Sequence, residues 1–280
     1  MTAVCEAIGV ARSNVAERMA REKAKELAPR RGRPPLPETD LVAAIKSVVA
    51  DMPTYGYRRV HAILRRQAKA RGEPPPNHKR VYRVMREHGL LLERSSGRDE
   101  GRRHDGRIAV DRSNIRWCSD GFELACKNAE KVRVAFALDC CDREAISLVA
   151  TTEGIKGEDV QDLMIAAVES RFGRVNRLPE TIEWLSDNGS GYIAYETKKL
   201  AREIGLEPRF TPVRSPQSNG MAEAFVRTIK RDYARVASLP DARTVMAMLP
   251  MWFEHYNTVH PHKALGYRSP RQFIAERKPE

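Results

Sequence analysis

The chain has 280 residues, room for one sizeable core and one or two small modules, since domains run to about 100 to 200 residues. It has no run of about 18 apolar residues and no apolar signal core near Met1, which argues against membrane insertion and secretion and makes the cytoplasm the expected location. The formal charge of +12 is uneven: residues 1–112 hold 25 Lys and Arg against 14 Asp and Glu, whereas residues 113–280 hold 24 against 23. A basic first part on a nearly neutral larger part suits a molecule that grips a polyanion with one portion and does chemistry with the other. On charge alone, a solvated basic surface is the alternative.

The five cysteines, Cys5, Cys118, Cys126, Cys140 and Cys141, are odd in number and lack Cys-x-x-Cys spacing, so reduced thiols are expected. Residues 1–37 read as a helix-turn-helix-like lead-in and a basic Pro-rich linker. Ala3, Val4, Ala7 and Ile8 make one apolar face, Gly9 breaks the first helix, and Ser13-Asn14 can cap the second. An amphipathic lead-in packed on another element is the competing reading. Arg30 to Pro37 follows, a stretch that cannot continue a helix.

Residues 38–93 read as a compact helical domain that binds DNA. Leu41, Ala44, Ile45, Val48 and Val49 recur at helical spacing. A turn at Pro53 to Arg59, carrying Arg58 and Arg59, opens a second helix with Val60, Ile63 and Leu64 inward. A third helix begins near Asn77, with Val81, Val84 and Met85 inward and Lys79, Arg80, Arg83 and Arg86 on a cationic flank. A terminal helix of that kind, after two supporting helices, is how such domains enter a major groove of double-stranded DNA. Residues 94–113 are polar and Gly-rich without periodicity, a flexible linker.

Residues 114–280 switch to strands. Runs at 115–119, 132–138 and 145–151 are short and branched or aromatic; a helix over 158–172, a strand at 181–185, a helix over 195–204 and a last strand at 208–211 follow. Three consecutive strands and then alternating helix and strand predict an α/β fold, a mixed sheet with helices on its faces. The first and fourth strands can then lie side by side and bring Asp120 and Asp187 together.

Asp120 closes Trp117-Cys118-Ser119-Asp120, Asp187 opens Asp187-Asn188-Gly189, and Glu223 lies in the first turns of a helix entered through Asn219-Gly220; 35 residues separate the last two acids. Hard oxygen ligands on different elements suit Mg²⁺ or Mn²⁺, and two such ions about 3.5 to 4 Å apart can stabilise both oxygens of an in-line displacement at phosphorus. Lys230, seven residues beyond Glu223 and on nearly the same helix face, can reach a phosphate beside them. The plainer readings are a simple turn at Asp187 and a helix-dipole role for Glu223. Asp139 and Asp142 compete with Asp120 for the third ligand position, and spacing alone does not exclude Asp139. His255, His260 and His262 lack a ligand partner at fixed spacing, so a structural or DNA-facing role is expected rather than a metal site.

Trp117-Cys118-Ser119-Asp120, Ser186-Asp187-Asn188-Gly189-Ser190 and Ser215 to Glu223, with Lys230 beyond, resemble the Asp, Asp, Glu signature of the retroviral-integrase superfamily. Tyr256 to Pro270 looks like the close of the integrase core in bacterial insertion-sequence transposases encoded by two overlapping frames. Tyr55-Gly56-Tyr57-Arg58-Arg59-Val60 is similar to the helical domain before that core. The resemblance covers roughly residues 38 to 275. It implies an RNase H-like core with Asp120, Asp187 and Glu223 as catalytic residues and metal ligands, and it sets Asp139 aside as a sheet residue. The implied reaction is nicking at an element's ends followed by strand transfer of the freed 3′ hydroxyl to another phosphodiester, on the bacterial nucleoid. His260 stands where the family often has Arg. The resemblance further implies a downstream-frame product that self-associates or pairs with the upstream-frame or fused product. A non-catalytic regulator that occupies element ends is the alternative.

Overall fold

The computed structural model describes residues 2–7, 9–27, 37–93, 109–211 and 220–277, with side chains omitted at 2–4 and 24–27. Most of the Pro-rich linker, Ile8, residues 94–108 and the Ser215 to Asn219 motif therefore lie outside the described residues. The chain forms two compact units, 1–40 and 41–280.

The first unit holds α1 (Thr2–Ala7) and α2 (Arg12–Leu27), with Gly9 at φ +64° between them, the left-handed conformation glycine adopts freely. The expected cap at Ser13-Asn14 is displaced. The Ala11 carbonyl accepts the amides of Asn14 and Val15, so the helix starts earlier and both residues lie within its first turn.

In the second unit, α3 (Thr39–Asp51), α4 (Tyr57–Ala70) and α5 (His78–Glu87) enclose Ile45, Tyr55, Val60, Val81, Val84 and Met85, all almost fully buried. α5 begins where the sequence places it, because the Asn77 side chain accepts the Lys79 amide at 2.8 Å.

The strands β1 (Arg116–Ala125), β2 (Lys131–Asp139), β3 (Ala145–Thr151), β4 (Ile182–Ser186) and β5 (Leu206–Phe210) form one mixed sheet in the order β3-β2-β1-β4-β5. β1, β2 and β3 pair antiparallel, whereas β4 runs parallel to β1 and β5 parallel to β4. β1 is longer than expected and continues five residues past Asp120, because Gly121 to Ala125 keep antiparallel register with β2. β5 starts two residues earlier than expected: Gly205, at φ +95°, ends the preceding helix in one residue.

Each face of the sheet has its own core. On one, Trp117, Ala135, Ile182 and Trp184 pack under α6 (Gly157–Phe172), α7 (Ser190–Ile193) and α8 (Tyr195–Ile204). On the other, Cys118, Phe122, Leu124, Phe136 and Leu138 pack against α9 (Gly220–Ile229) and α10 (Ala242–Thr258). The period-two alternation along β1 assigns its residues to these faces, so Asp120 shares the α9 side with Cys118 and Phe122. A wide π-turn, Lys230–Ala234, ends α9, and α11 (Pro270–Glu276) closes the chain. The cysteines are free, and among the described residues no helix is long and apolar enough to cross a membrane.

Candidate active site

Parallel pairing positions the first two acids. Trp117 lies opposite Trp184 and Cys118 opposite Leu185, so the same register carried two residues further sets Asp120 opposite Asp187. Neighbouring strands lie about 4.8 Å apart, and register partners in a parallel pair point to the same face. The third acid arrives on α9, which buries Ala222, Phe225 and Ile229 on the sheet and leaves Glu223 exposed in its first turn. Phe225 fixes that helix by packing on Phe136, with ring centroids 4.5 Å apart, and edge-on against Phe253 and Tyr256.

Burial and the two other acids act on Asp120. Asp120 is pushed up to about 6, first by burial and then by the negative charges of Asp187 and Glu223; a hydrogen bond from the Gly121 amide, at 2.7 Å, opposes the shift. Asp187 is exposed, and its Oδ1 accepts the Gly189 amide at 3.0 Å. Asn188 ties that loop to the end of β5 by donating to the Thr211 carbonyl at 3.0 Å. Among the described residues no group of three or more Asp, Glu, His or Cys side chains stands close enough together to hold a metal ion. Carboxyl oxygens are the hard donors a divalent cation takes, and the negative charges that act on Asp120 are ones such a cation would offset.

Tyr192 is a neighbour that sequence reasoning missed. Its hydroxyl shares a 2.8 Å hydrogen bond with Ser119 on the buried face behind Asp120, and burial, with Asp120 and Asp187 adding to it, raises the phenol above its ordinary range. Its only sequence signal is its place five residues after Asp187, in the short helix that follows β4. Lys230 stands at the start of the π-turn with its ammonium 6.0 Å from the Phe122 ring, two residues from Asp120 along the same face of β1.

Other candidates are placed elsewhere. Asp139 is fully buried, and its carboxyl accepts the amides of Asn114, Cys141 and Asp142 beside Arg171; it braces the β2 turn. His260 is 1% exposed and shares a 2.8 Å hydrogen bond with Tyr55, and His255 shares one of 2.9 Å with Tyr233, so the histidines are structural. Arg59, expected on DNA, is turned inward to Asp232 at 3.0 Å, because the fully buried acid needs a cation. Arg58 is exposed over the Tyr57 ring. On α5, Lys79, Arg83 and Arg86 are exposed and Arg80 half-buried, with Arg83 also paired to Glu87 at 3.2 Å.

Comparison with known proteins adds to this geometry. Two models described as integrase core domain match residues 110–216 and 204–270, and one described as HTH-like domain matches 37–95. The chain is 57% identical over 242 residues to transposase InsD of insertion element IS2A/D/F/H/I/K from Escherichia coli, covering 86% of this chain and 80% of that one. The InsD transposase of IS2 on the F plasmid of Escherichia coli K12 matches with the same identity and coverage. Among solved structures, a simian T-cell lymphotropic virus intasome in complex with a PP2A regulatory subunit aligns with TM-score 0.48 and 15% identity over 85% of this chain and 75% of that one. The catalytic core of BIV integrase aligns with TM-score 0.40 and 18% identity over 58% and 95%. With a mixed sheet, an integrase core, an HTH-like domain and relatives of this identity, the chain belongs to the insertion-element transposases and is a DNA-acting polynucleotidyl transferase of the integrase type.

Proposed function

We propose that Asp120, Asp187 and Glu223 are the catalytic residues of this transposase and hold two divalent cations, Mg²⁺ or Mn²⁺, during nicking at insertion-sequence ends and 3′-hydroxyl strand transfer. The observation that supports the reading is the parallel register of β1 and β4, which carried on sets Asp120 opposite Asp187; the upward shift on Asp120, caused first by burial and then by the charges of Asp187 and Glu223, agrees with it. When bound, the cations supply the positive charge that stabilises the attacking and leaving oxygens of an in-line displacement. This chain's own residues do the rest. Asp120 on β1 and Asp187 just past the end of β4 offer two donors, and Glu223 brings the third on a helix seated by Phe225. Ser119 and Tyr192 hold the strand from behind. Lys230 offers an ammonium for a phosphate along the same face.

In the first step water attacks the phosphodiester at the element end, the bond to the 3′ oxygen breaks, and a 3′ hydroxyl is freed. In the second, that hydroxyl attacks another phosphodiester, the bond from that phosphorus to its own 3′ oxygen breaks, a new strand joint forms, and the displaced strand leaves with a 3′ hydroxyl. The cationic side of α5, with Lys79, Arg80, Arg83 and Arg86, contacts duplex DNA in the helical segment 38–93, joined by residues 94–113 to the catalytic core 114–280. The chain acts on the bacterial nucleoid, self-associated or paired with the upstream-frame or fused product.

The test is strand cleavage of labelled end-bearing duplex with Mg²⁺ or Mn²⁺. Wild type is expected to nick, and Asp120→Asn, Asp187→Asn and Glu223→Gln to bind DNA but lose nicking by at least about 10²-fold. Equal binding with no cutting by any of the four proteins would leave a regulator that occupies ends.

A further inference from the structure

The cations of α4 do not all follow the inward turn of Arg59. Arg58, Arg65 and Lys69 recur at i, i+7 and i+11, a single stripe along a helix, while Val60, Leu64 and Ala68 face the helical core. Over eleven residues the stripe runs about 16 Å. Across from it stands the turn Gly266 to Arg268 of the C-terminal tail. Between the two lie cavities of about 320 Å³ and 210 Å³ that share Ala62, Arg65 and Tyr267, so they join into one groove along the helix.

We propose that this groove seats the sugar-phosphate backbone of duplex DNA, as a second contact apart from α5 and spanning the helical segment and the C-terminal tail. The inference rests on the transposase reading above and adds a binding surface to it. Charge is the first reason. Arg65 and Lys69 are exposed and make no ion pair among the described residues, and Arg58 only lies over the Tyr57 ring. The one acid of the groove, Glu276, is already taken by Arg268 at 3.0 Å and Gln272 at 3.0 Å. The second reason is the lining: Arg66, whose Nη1 donates to the Thr258 carbonyl at 3.2 Å, adds a guanidinium to the same wall.

The opposite wall is built to hold its shape. Tyr267 sits at φ +65°, a region uncommon for a bulky residue. It is kept there by its amide, which donates to the His262 carbonyl at 2.7 Å, and by the bridge between His262 and Arg268. Length favours a polymer over a small anion. About 16 Å of cationic stripe matches the axial rise of about five phosphates of one strand at 3.4 Å each.

The experiment measures the affinity of the full chain for two duplexes, one with the element's end and one of unrelated sequence, across a salt series. Removing two phosphate contacts in Arg65→Ala/Lys69→Ala is expected to flatten the slope of log affinity against log salt by about 2, equally on both duplexes. Arg65→Lys keeps the charge and is expected to keep the wild-type slope. Both side chains are exposed, and an unchanged thermal midpoint verifies that the double variant is folded. An unaltered slope in the folded double variant, with wild type binding normally, overturns the groove and leaves the transposase reading standing. A wild type that binds neither duplex overturns both.

Discussion

Arg59 and Asp232, 173 positions apart, meet at 3.0 Å where α4 abuts the π-turn that ends the helix of Glu223. Asp232 is fully buried, and besides Arg59 it has Arg231 at 2.6 Å and His260 at 4.0 Å. The wide turn is what brings the acid inward, since five residues from Lys230 to Ala234 depart from the α-helical path. The helical segment and the catalytic helix are thus fastened by a charge that is costly to leave unpaired.

Arg59→Ala is therefore expected to lose about 3 kcal/mol of unfolding free energy, toward the low end for a broken buried pair because Arg231 stays on the acid. Urea titration measures it, and a double-mutant cycle with Asp232→Asn separates the coupling from the loss of the side chain. A cost within about 0.5 kcal/mol, the range of ordinary surface changes, would show that the pair fastens nothing.

Asp120→Asn is expected to make the metal-free protein more stable at neutral pH. The carboxyl of the folded state stands at about 6 against an ordinary 3.8, so its protonated form is the favoured one. Its contribution is fully present below pH 3.8 and is lost as the pH rises through 6. At pH 7.5 the ionised acid then costs about 2 kcal/mol after allowance for partial exposure, and the neutral amide avoids it. Melting at pH 7.5 and again near pH 4, where the difference should close, checks this. Added Mn²⁺ should raise the wild-type midpoint and leave the variant's unchanged.

Buried His260 and half-buried His262 predict a second pH effect of opposite sign. Burial holds His260 well below its ordinary value and His262 at about 3, so both are neutral in the folded state where the unfolded chain would charge them. That stability is present above pH 6.5 and is lost as the pH falls below it. Because the raised carboxylates oppose this trend between pH 4 and 6, the clean measurement is a difference. His262→Gln is expected to reduce the slope of stability against pH by about 1.4 kcal/mol per unit in that window. Parallel curves for wild type and variant would contradict the assignment.

Gly205→Ala tests the joint between α8 and β5. The residue has φ +95°, and an added Cβ would lie 2.9 Å from the Leu178 Cβ. A loss of about 1 to 3 kcal/mol in thermal or urea unfolding is expected from the backbone conformation and the clash together. No change would mean that the helix end can reshape freely.

Local composition, periodicity and turn residues located most of the elements. The short branched or aromatic runs at 132–138 and 145–151, the helical stripe through Phe225 and Ile229 and the capping Asn77 are local patterns, set by which residues must leave water. The adjacency of the first and fourth strands was also legible from element order. Only the tertiary structure decided what each polar side chain meets. Asp139 braces a turn, Arg59 finds Asp232, His260 finds Tyr55 across 205 positions, and Tyr192 settles behind Ser119. A pattern of burial says which face a residue occupies. The partner of a buried charge or hydroxyl is fixed by close approaches between segments far apart in the chain, and no local repeat encodes those.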